Sequence, residues 1–223
     1  MILRYIPYIQ TNFVLGLDAD NGAEPFELTK KFVDMTPGAF PGYSLLSAFG
    51  QAAPLNLEYQ RLGRVLPFPF HFLDNNRAMN VKPKNYSWPE FYGHIIGLSK
   101  HSFSVSSIAK RLRANRQMVP RWMNVVRAVS SEGFGRIKYN TNVLQGLNGD
   151  RQFRRYFERE TTELPKFYED QARKDLGPLW AWLPEGALYH DQNAYLRSVD
   201  DKNANVDLTT SKPLTEMNAE FII

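Results

Sequence analysis

The stretch Tyr8-Ile9-Gln10-Thr11-Asn12-Phe13-Val14-Leu15-Gly16-Leu17 decides the fold class. It is rich in β-branched and aromatic residues and turns apolar towards its end. That composition suits a buried parallel strand better than a half-exposed antiparallel one. The turn-forming cluster Asp18-Ala19-Asp20-Asn21-Gly22 follows it. Residues Glu24 to Met35 then read as an amphipathic helix, with Phe26, Thr29 and Val33 close in angle and Leu28 and Phe32 widening the stripe. Pro25 fits the first helical turn, where a missing N–H is harmless, and Thr36-Pro37-Gly38 ends the helix. Gly42-Tyr43-Ser44-Leu45-Leu46-Ser47-Ala48-Phe49 reads as a second strand, closed by Gly50. Strand, helix and strand in this order form a βαβ unit, which requires parallel pairing and a right-handed crossover.

Outward from this unit, Ala53 to Gly63 reads as a short helix ended by glycine. Arg64 to Lys84 is rich in proline and aromatic residues and reads as an extended, hairpin-like excursion. Ser87-Trp88-Pro89-Glu90 carries a capping-box signature, so a helix is expected from there to about His101. Further helices are expected near Ser104–Ala114, Pro120–Gly133, Arg151–Glu158 and Glu163–Leu176. The segment from about Asp200 is polar and reads as a loose tail. The expected organisation is therefore α/β: residues 1–66 with two βα units, a connecting segment 67–86, a helical extension 87–199 and a tail 200–223. Two parallel strands cannot by themselves make a stable sheet covered on both faces. Either further strands come from the tail, or the chain completes a larger sheet.

The 223 residues suffice for one domain, or one with an appendage, and 43% hydrophobic residues allow a sizeable core. The absence of cysteine from the sequence excludes disulfides, thiolate nucleophiles and cysteine-held zinc or iron–sulfur clusters on this chain. No apolar run reaches the roughly 18 residues of a membrane span, and Met1 to Tyr8 is too short for a secretory signal. A soluble cytoplasmic protein is expected, without a membrane partner. The net charge is +4, and between Phe91 and Ser131 there is no Asp or Glu, while Lys100, Lys110, Arg111, Arg113, Arg116, Arg121 and Arg127 all fall there. Such a run forms a solvated helix face or docks on an acidic partner; phosphate or nucleic acid is the other reading. No nucleic-acid motif accompanies it.

Several constellations carry bland and sharp readings side by side. Asp18, Asp20, Asn21 and Gly22 lack the oxygen spacing and distal Glu of a calcium loop and read as a turn. Glu90 and His94, four apart, read as an exposed ion pair, with His101 two turns beyond His94. His71, Asp74, Asn75 and Asn76 sit in a loop that could reach a substrate. Tyr189-His190-Asp191 reads as a loop hydrogen bond. Phe167, Tyr168, Trp180 and Trp182 read as core. No Ser-His-Asp order, phosphate-cradling glycine loop or His-Glu zinc motif is present.

The words Asn12 to Asp20, then Tyr43 to Leu55, then Glu58-Tyr59-Gln60-Arg61-Leu62-Gly63-Arg64-Val65 and Val81-Lys82-Pro83-Lys84-Asn85-Tyr86-Ser87 together resemble the last two βα units and post-barrel segment of radical SAM proteins. The resemblance is to the subgroup with a cobalamin-binding-type N-terminal domain, and covers roughly residues 5 to 100. It implies a partial TIM-like barrel followed by a helical extension. In the complete barrel, three cysteines after the first strand hold a 4Fe-4S cluster and S-adenosylmethionine takes its fourth site; this chain lacks that cysteine motif. By the same resemblance, Val14 stands where an aliphatic residue packs on adenine and Gly16 where small size permits close approach. Asn12 stands where glycine is common. Leu46, Ser47 and Ala48 stand as sixth-strand contributors near the nucleobase. Independently, ligands of parallel sheets sit at the C-terminal strand ends, although Gly16 equally suits a tight βα turn. The implied partner is the N-terminal barrel half, or a polypeptide supplying it. The alternative is a non-catalytic interaction module binding an acidic partner or nucleic acid through residues 100–127.

Overall fold

The computed structural model describes residues 5–6, 8–48, 50, 53–74, 76–184, 186–188 and 191. Expectations for Phe49, Gln51, Ala52, Asn75, Tyr189, His190 and the tail 200–223 lie outside them.

The βαβ unit consists of β1 (Ile9–Leu15), α1 (Glu24–Met35) and β2 (Ala39–Leu45). The strands run parallel, with Ile9 opposite Ala39 and Leu15 opposite Leu45. The odd-numbered side chains face α1, since the Phe13 ring meets Phe32 edge-on at 5.4 Å. The even-numbered ones, Gln10, Asn12 and Val14 on β1 and Phe40, Gly42 and Ser44 on β2, take the opposite face, as strand periodicity demands. In α1, Phe26, Thr29 and Val33 are buried as their spacing predicts, but Leu28 and Phe32 remain exposed, so the apolar stripe is narrower than expected.

β2 begins three residues earlier than expected and ends at Leu45, so Leu46, Ser47 and Ala48 lie beyond the strand. Pro41 does not interrupt it. Leu46 donates its N–H to the Leu15 carbonyl; by alternation Phe40, Gly42 and Ser44 bond towards β1. Pro41 therefore faces the free edge, where proline is tolerated. Among the described residues the sheet has these two strands alone.

After α2 (Pro54–Arg61), the excursion folds back as a hairpin-like arm. Val65 and Val81 form an antiparallel bridge, flanked by Leu66 N–H to Asn80 O at 2.7 Å and Lys82 N–H to Arg64 O at 2.8 Å. The arm clamps the end of β2: the Asn80 amide accepts from Ala48 N–H at 2.8 Å and donates to Ala48 O at 2.7 Å.

The helices α3 (Trp88–Ser102), α4 (Val105–Ala114), α5 (Met118–Val129), α6 (Phe134–Gly149), α7 (Arg151–Phe157) and α8 (Lys166–Leu176) follow, with a 3₁₀ turn at Gly177–Trp182. The capping box forms: Ser87 Oγ accepts from Glu90 N–H at 3.3 Å, and the Glu90 carboxylate accepts from Ser87 N–H at 3.4 Å. Glu90 is thereby committed, and no Glu90–His94 ion pair forms. His94 stacks on Phe26 at 4.6 Å instead, and His101 pairs with Asp34 at 3.0 Å.

α6 is the helix that periodicity did not predict. Gly135, Gly146, Gly149, Asn140, Asn142 and Asn148 all have low helix propensity. Packing stabilises it: Arg136, Asn140, Val143 and Leu147 are buried at helical spacing, and α6 lies along α3. Gly146 permits a tight return, because a Cβ there would fall 2.8 Å from the Phe153 ring. The core is one contiguous cluster from Leu15 to Ala172, joined at its centre by Phe68 against Tyr156 and Tyr168 and by Trp88 against Phe157. Tyr168 belongs to it and Phe167 and Trp180 pack on its margin, but Trp182 is 83% exposed and is not core.

Candidate functional site

The even face of the sheet opens on a cleft of about 800 Å³. Its floor is Gln10, Asn12, Phe40, Gly42 and Ser44; its walls come from Arg127 on α5, Arg136 and Tyr139 on α6, Asp175 on α8 and the arm residues Asp74, Asn76 and Arg77. Gly42 lets the Asn12 and Gln10 amides lie close over the floor, since a Cβ there would displace both. Those amides are linked at 2.5 Å.

Charge in the cleft is unevenly compensated. Five cations, Arg77, Arg127, Arg136, Lys138 and Lys174, face three carboxylates, Asp74, Glu132 and Asp175. Arg127 lies 4.0 Å over the Phe40 ring, donates to Gln10 Oε1 at 2.7 Å and pairs with Glu132 through Nε at 2.6 Å. Arg77 takes both other acids, with Nε on Asp74 at 2.8 Å and a terminal nitrogen on Asp175. His71 shares Asp175 at 3.0 Å. The loop His71–Asn76 thus reaches the cleft through Asp74 and Asn76, while His71 stands behind Asp175.

Arg136 is left without a carboxylate among the described residues. Its side chain donates to Asn76 O at 3.0 Å and Oδ1 at 3.1 Å, and its buried Nε has no partner. Burial holds its pKa below the ordinary guanidinium value, partly offset by Asp74 and Glu132. Beside it, burial raises Tyr139 far above the usual phenol range, and Tyr43, hydrogen-bonded to Ser102 at 2.5 Å, is raised to about 12. Both are neutral at pH 7.

The sequence-derived site residues divide between two environments. Asn12 lines the cleft, and Val14 extends the same face, 49% exposed. Gly16 is buried beneath Met79 and Phe91 with φ +89°, its N–H held by Asp20 Oδ2 at 2.9 Å. Leu46 is buried; Ser47 Oγ donates to Ala78 O at 3.2 Å; the Ala48 N–H is committed to Asn80. Of these six residues Asn12 alone lines the cleft; Val14 lies further along the same face, and Gly16 and residues 46–48 are apart from it. Asp18 grips Arg64 through two bonds of 2.7 Å, which holds its carboxyl below the usual range. Among the described residues no group of His, Asp and Glu is arranged to hold a metal. The basic run also divides: Arg111 is buried, donating to Ser102 O and lying 5.6 Å over Phe103, whereas Arg113 and Arg116 are exposed.

Arg136 and Tyr139 escaped the sequence reading because the helix carrying them did. No helix among the described residues is long and apolar enough to cross a membrane. Comparisons with protein-family models, with curated proteins and with solved structures find no match to the chain.

Proposed function

We propose that the chain is the C-terminal part, or a separate subunit, of a radical SAM enzyme, supplying the last two βα units of a TIM-like barrel and a helical cover. It helps hold S-adenosylmethionine and is inactive alone. One observation carries the reading. α1 packs on the odd face of a parallel β1–β2 pair, so the even face is the one a closed barrel would turn inward, and that face opens on the cleft. The outer edge of β1 lacks a strand partner among the described residues, as a strand completing a larger sheet requires.

On this reading Val14 offers apolar surface to the adenine, and the Asn12 and Gln10 amides offer hydrogen bonds beside it. Gly16 shapes the βα turn that presents them. The 4Fe-4S cluster does not fit the donor set of this chain, which has no cysteine, and its ligands belong to the preceding barrel half. The test is to read the coding DNA upstream of Met1 in all frames and co-express any adjoining frame carrying Cys-x-x-x-Cys-x-x-Cys. A co-purifying pair that holds iron and sulfide and cleaves S-adenosylmethionine is expected. Absence of such a frame, or a product that does not associate, sinks the reading.

A second reading, a non-catalytic interaction module using residues 100–127, is favoured by α5. That helix turns Met118, Val119, Trp122 and Val126 outward, with Val119 70% exposed, near the exposed Arg113 and Arg116. It expects salt-sensitive capture of an acidic partner by the chain alone, which Arg113→Glu with Arg116→Glu abolishes.

A further inference from the structure

We infer that the helical extension builds an oxyanion site at Arg136, which takes the phosphate or carboxylate of a small molecule lying on the open face of the sheet. Arginine keeps its proton under all ordinary conditions, and a buried guanidinium without an anion is strongly disfavoured. Arg136 is only 9% exposed, borders the cleft, and forms no ion pair among the described residues while its Nε lacks any acceptor. The neighbouring acids offset its burial only in part and without contact, since Glu132 is held by Arg127, and Asp74 and Asp175 by Arg77. A buried donor left open beside a cleft is what an incoming acceptor completes.

The helix terminus adds to this charge. Arg136 lies in the first turn of the 16-residue α6, whose N-cap is Gly133, with no side-chain cap and no acidic residue in the first turn. Gly135, in that turn, lines the cleft. The Gly135 N–H is held by the Ser130 carbonyl at 2.9 Å, but no acidic side chain offsets the positive end of the α6 dipole next to Arg136, where an anion is favoured. On the rim, Lys138 and Lys174 are exposed and form no ion pair among the described residues, which would steer an anion inward. Arg111 is the informative contrast. It is more deeply buried and its Nε likewise lacks an acceptor, but it faces the Phe40 and Phe103 rings and does not line the cleft, so what sets Arg136 apart is its place on the cleft wall.

The inference stands on this chain alone and goes beyond the barrel reading. The experiment titrates the full-length protein, with arginine side chains ¹⁵N-labelled, with inorganic phosphate or acetate at constant ionic strength. The Arg136 Nε–H resonance is assigned by its absence in Arg136→Lys. A saturable shift of that resonance with either anion is expected, together with a rise in Tm. Arg136→Lys, which keeps the charge but loses the fork, should weaken binding about ten-fold or more, and Arg136→Met should abolish it. A resonance that neither anion moves, or an Arg136→Lys protein that binds as the parent does, overturns the inference. The cluster and S-adenosylmethionine are absent from this titration, so its failure is distinguishable from failure of the barrel reading.

Discussion

Single residues carry more of the architecture than their conspicuousness suggests. Gly16 has φ +89°, and a Cβ there would fall 2.6 Å from Met79 Cε and 3.2 Å from Phe91. Its geometry is that of a βα turn closed by Asp20. Gly16→Ala combines a left-handed non-glycine residue with overpacking, and should lower unfolding free energy by about 2–4 kcal/mol. Urea denaturation measures this; a change under about 0.5 kcal/mol, the range of a neutral surface substitution, would contradict the packing described. Asp18 and Asp20 divide the work of the same turn. The first anchors Arg64 of the arm, the second caps Gly16 and Leu17, so neither is left as a calcium ligand.

Among the elements, α3 and α6 form the central pair and reach helicity by opposite routes. α3 announces itself through Ser87 and Glu90, and both arms of the capping box are made. Ser87→Ala should cost about 1 kcal/mol, read as a lower midpoint with an unchanged denaturant slope. A Ser87→Asp variant that restores the cap should recover most of it, whereas no recovery would place the loss elsewhere. α6 has glycine and asparagine where helix formers would stand. It holds because Val143 and Leu147 are buried in the core shared with α3, tertiary packing overriding propensity. α5 inverts the usual arrangement, burying Pro120, Asn124 and Ala128 while its larger apolar side chains face outward.

At the scale of the molecule, the βαβ unit, the arm and the helical extension share one core rather than meeting at a linker. Tyr43, Tyr92, Tyr139, Tyr156 and Tyr168 are all embedded, and burial raises each of them, Tyr43 to about 12 and the other four further. Their folded pKa values lie above the unfolded value of about 10. The folded state therefore holds these protons more tightly; the stability is complete below pH about 10 and is lost as pH rises through about 12 and beyond. Alkaline titration followed by tyrosinate absorbance and circular dichroism should show the exposed tyrosines ionising first. These five, the most strongly raised, should then ionise in one step, coincident with loss of helical signal. Gradual ionisation with the helices intact would contradict the burial.

Local chemistry determined much of this protein from sequence alone: the parallel βαβ unit, the burial of Phe26, Thr29 and Val33 on α1, the hairpin-like arm, the Ser87 cap and most of the helical extension. Each depends on neighbours within a few residues, where periodicity, turn chemistry and capping act directly. Tertiary structure alone decided the rest. The start of β2 depends on Pro41 facing a free edge, and α6 depends on α3. The cleft depends on which face α1 covers and on three cations meeting from α5, α6 and the arm. Arg127 and Arg136 stand nine positions apart in the chain, yet one is neutralised by Glu132 and the other is buried without a carboxylate. Charge compensation is a property of through-space neighbours, and the sequence order does not contain it.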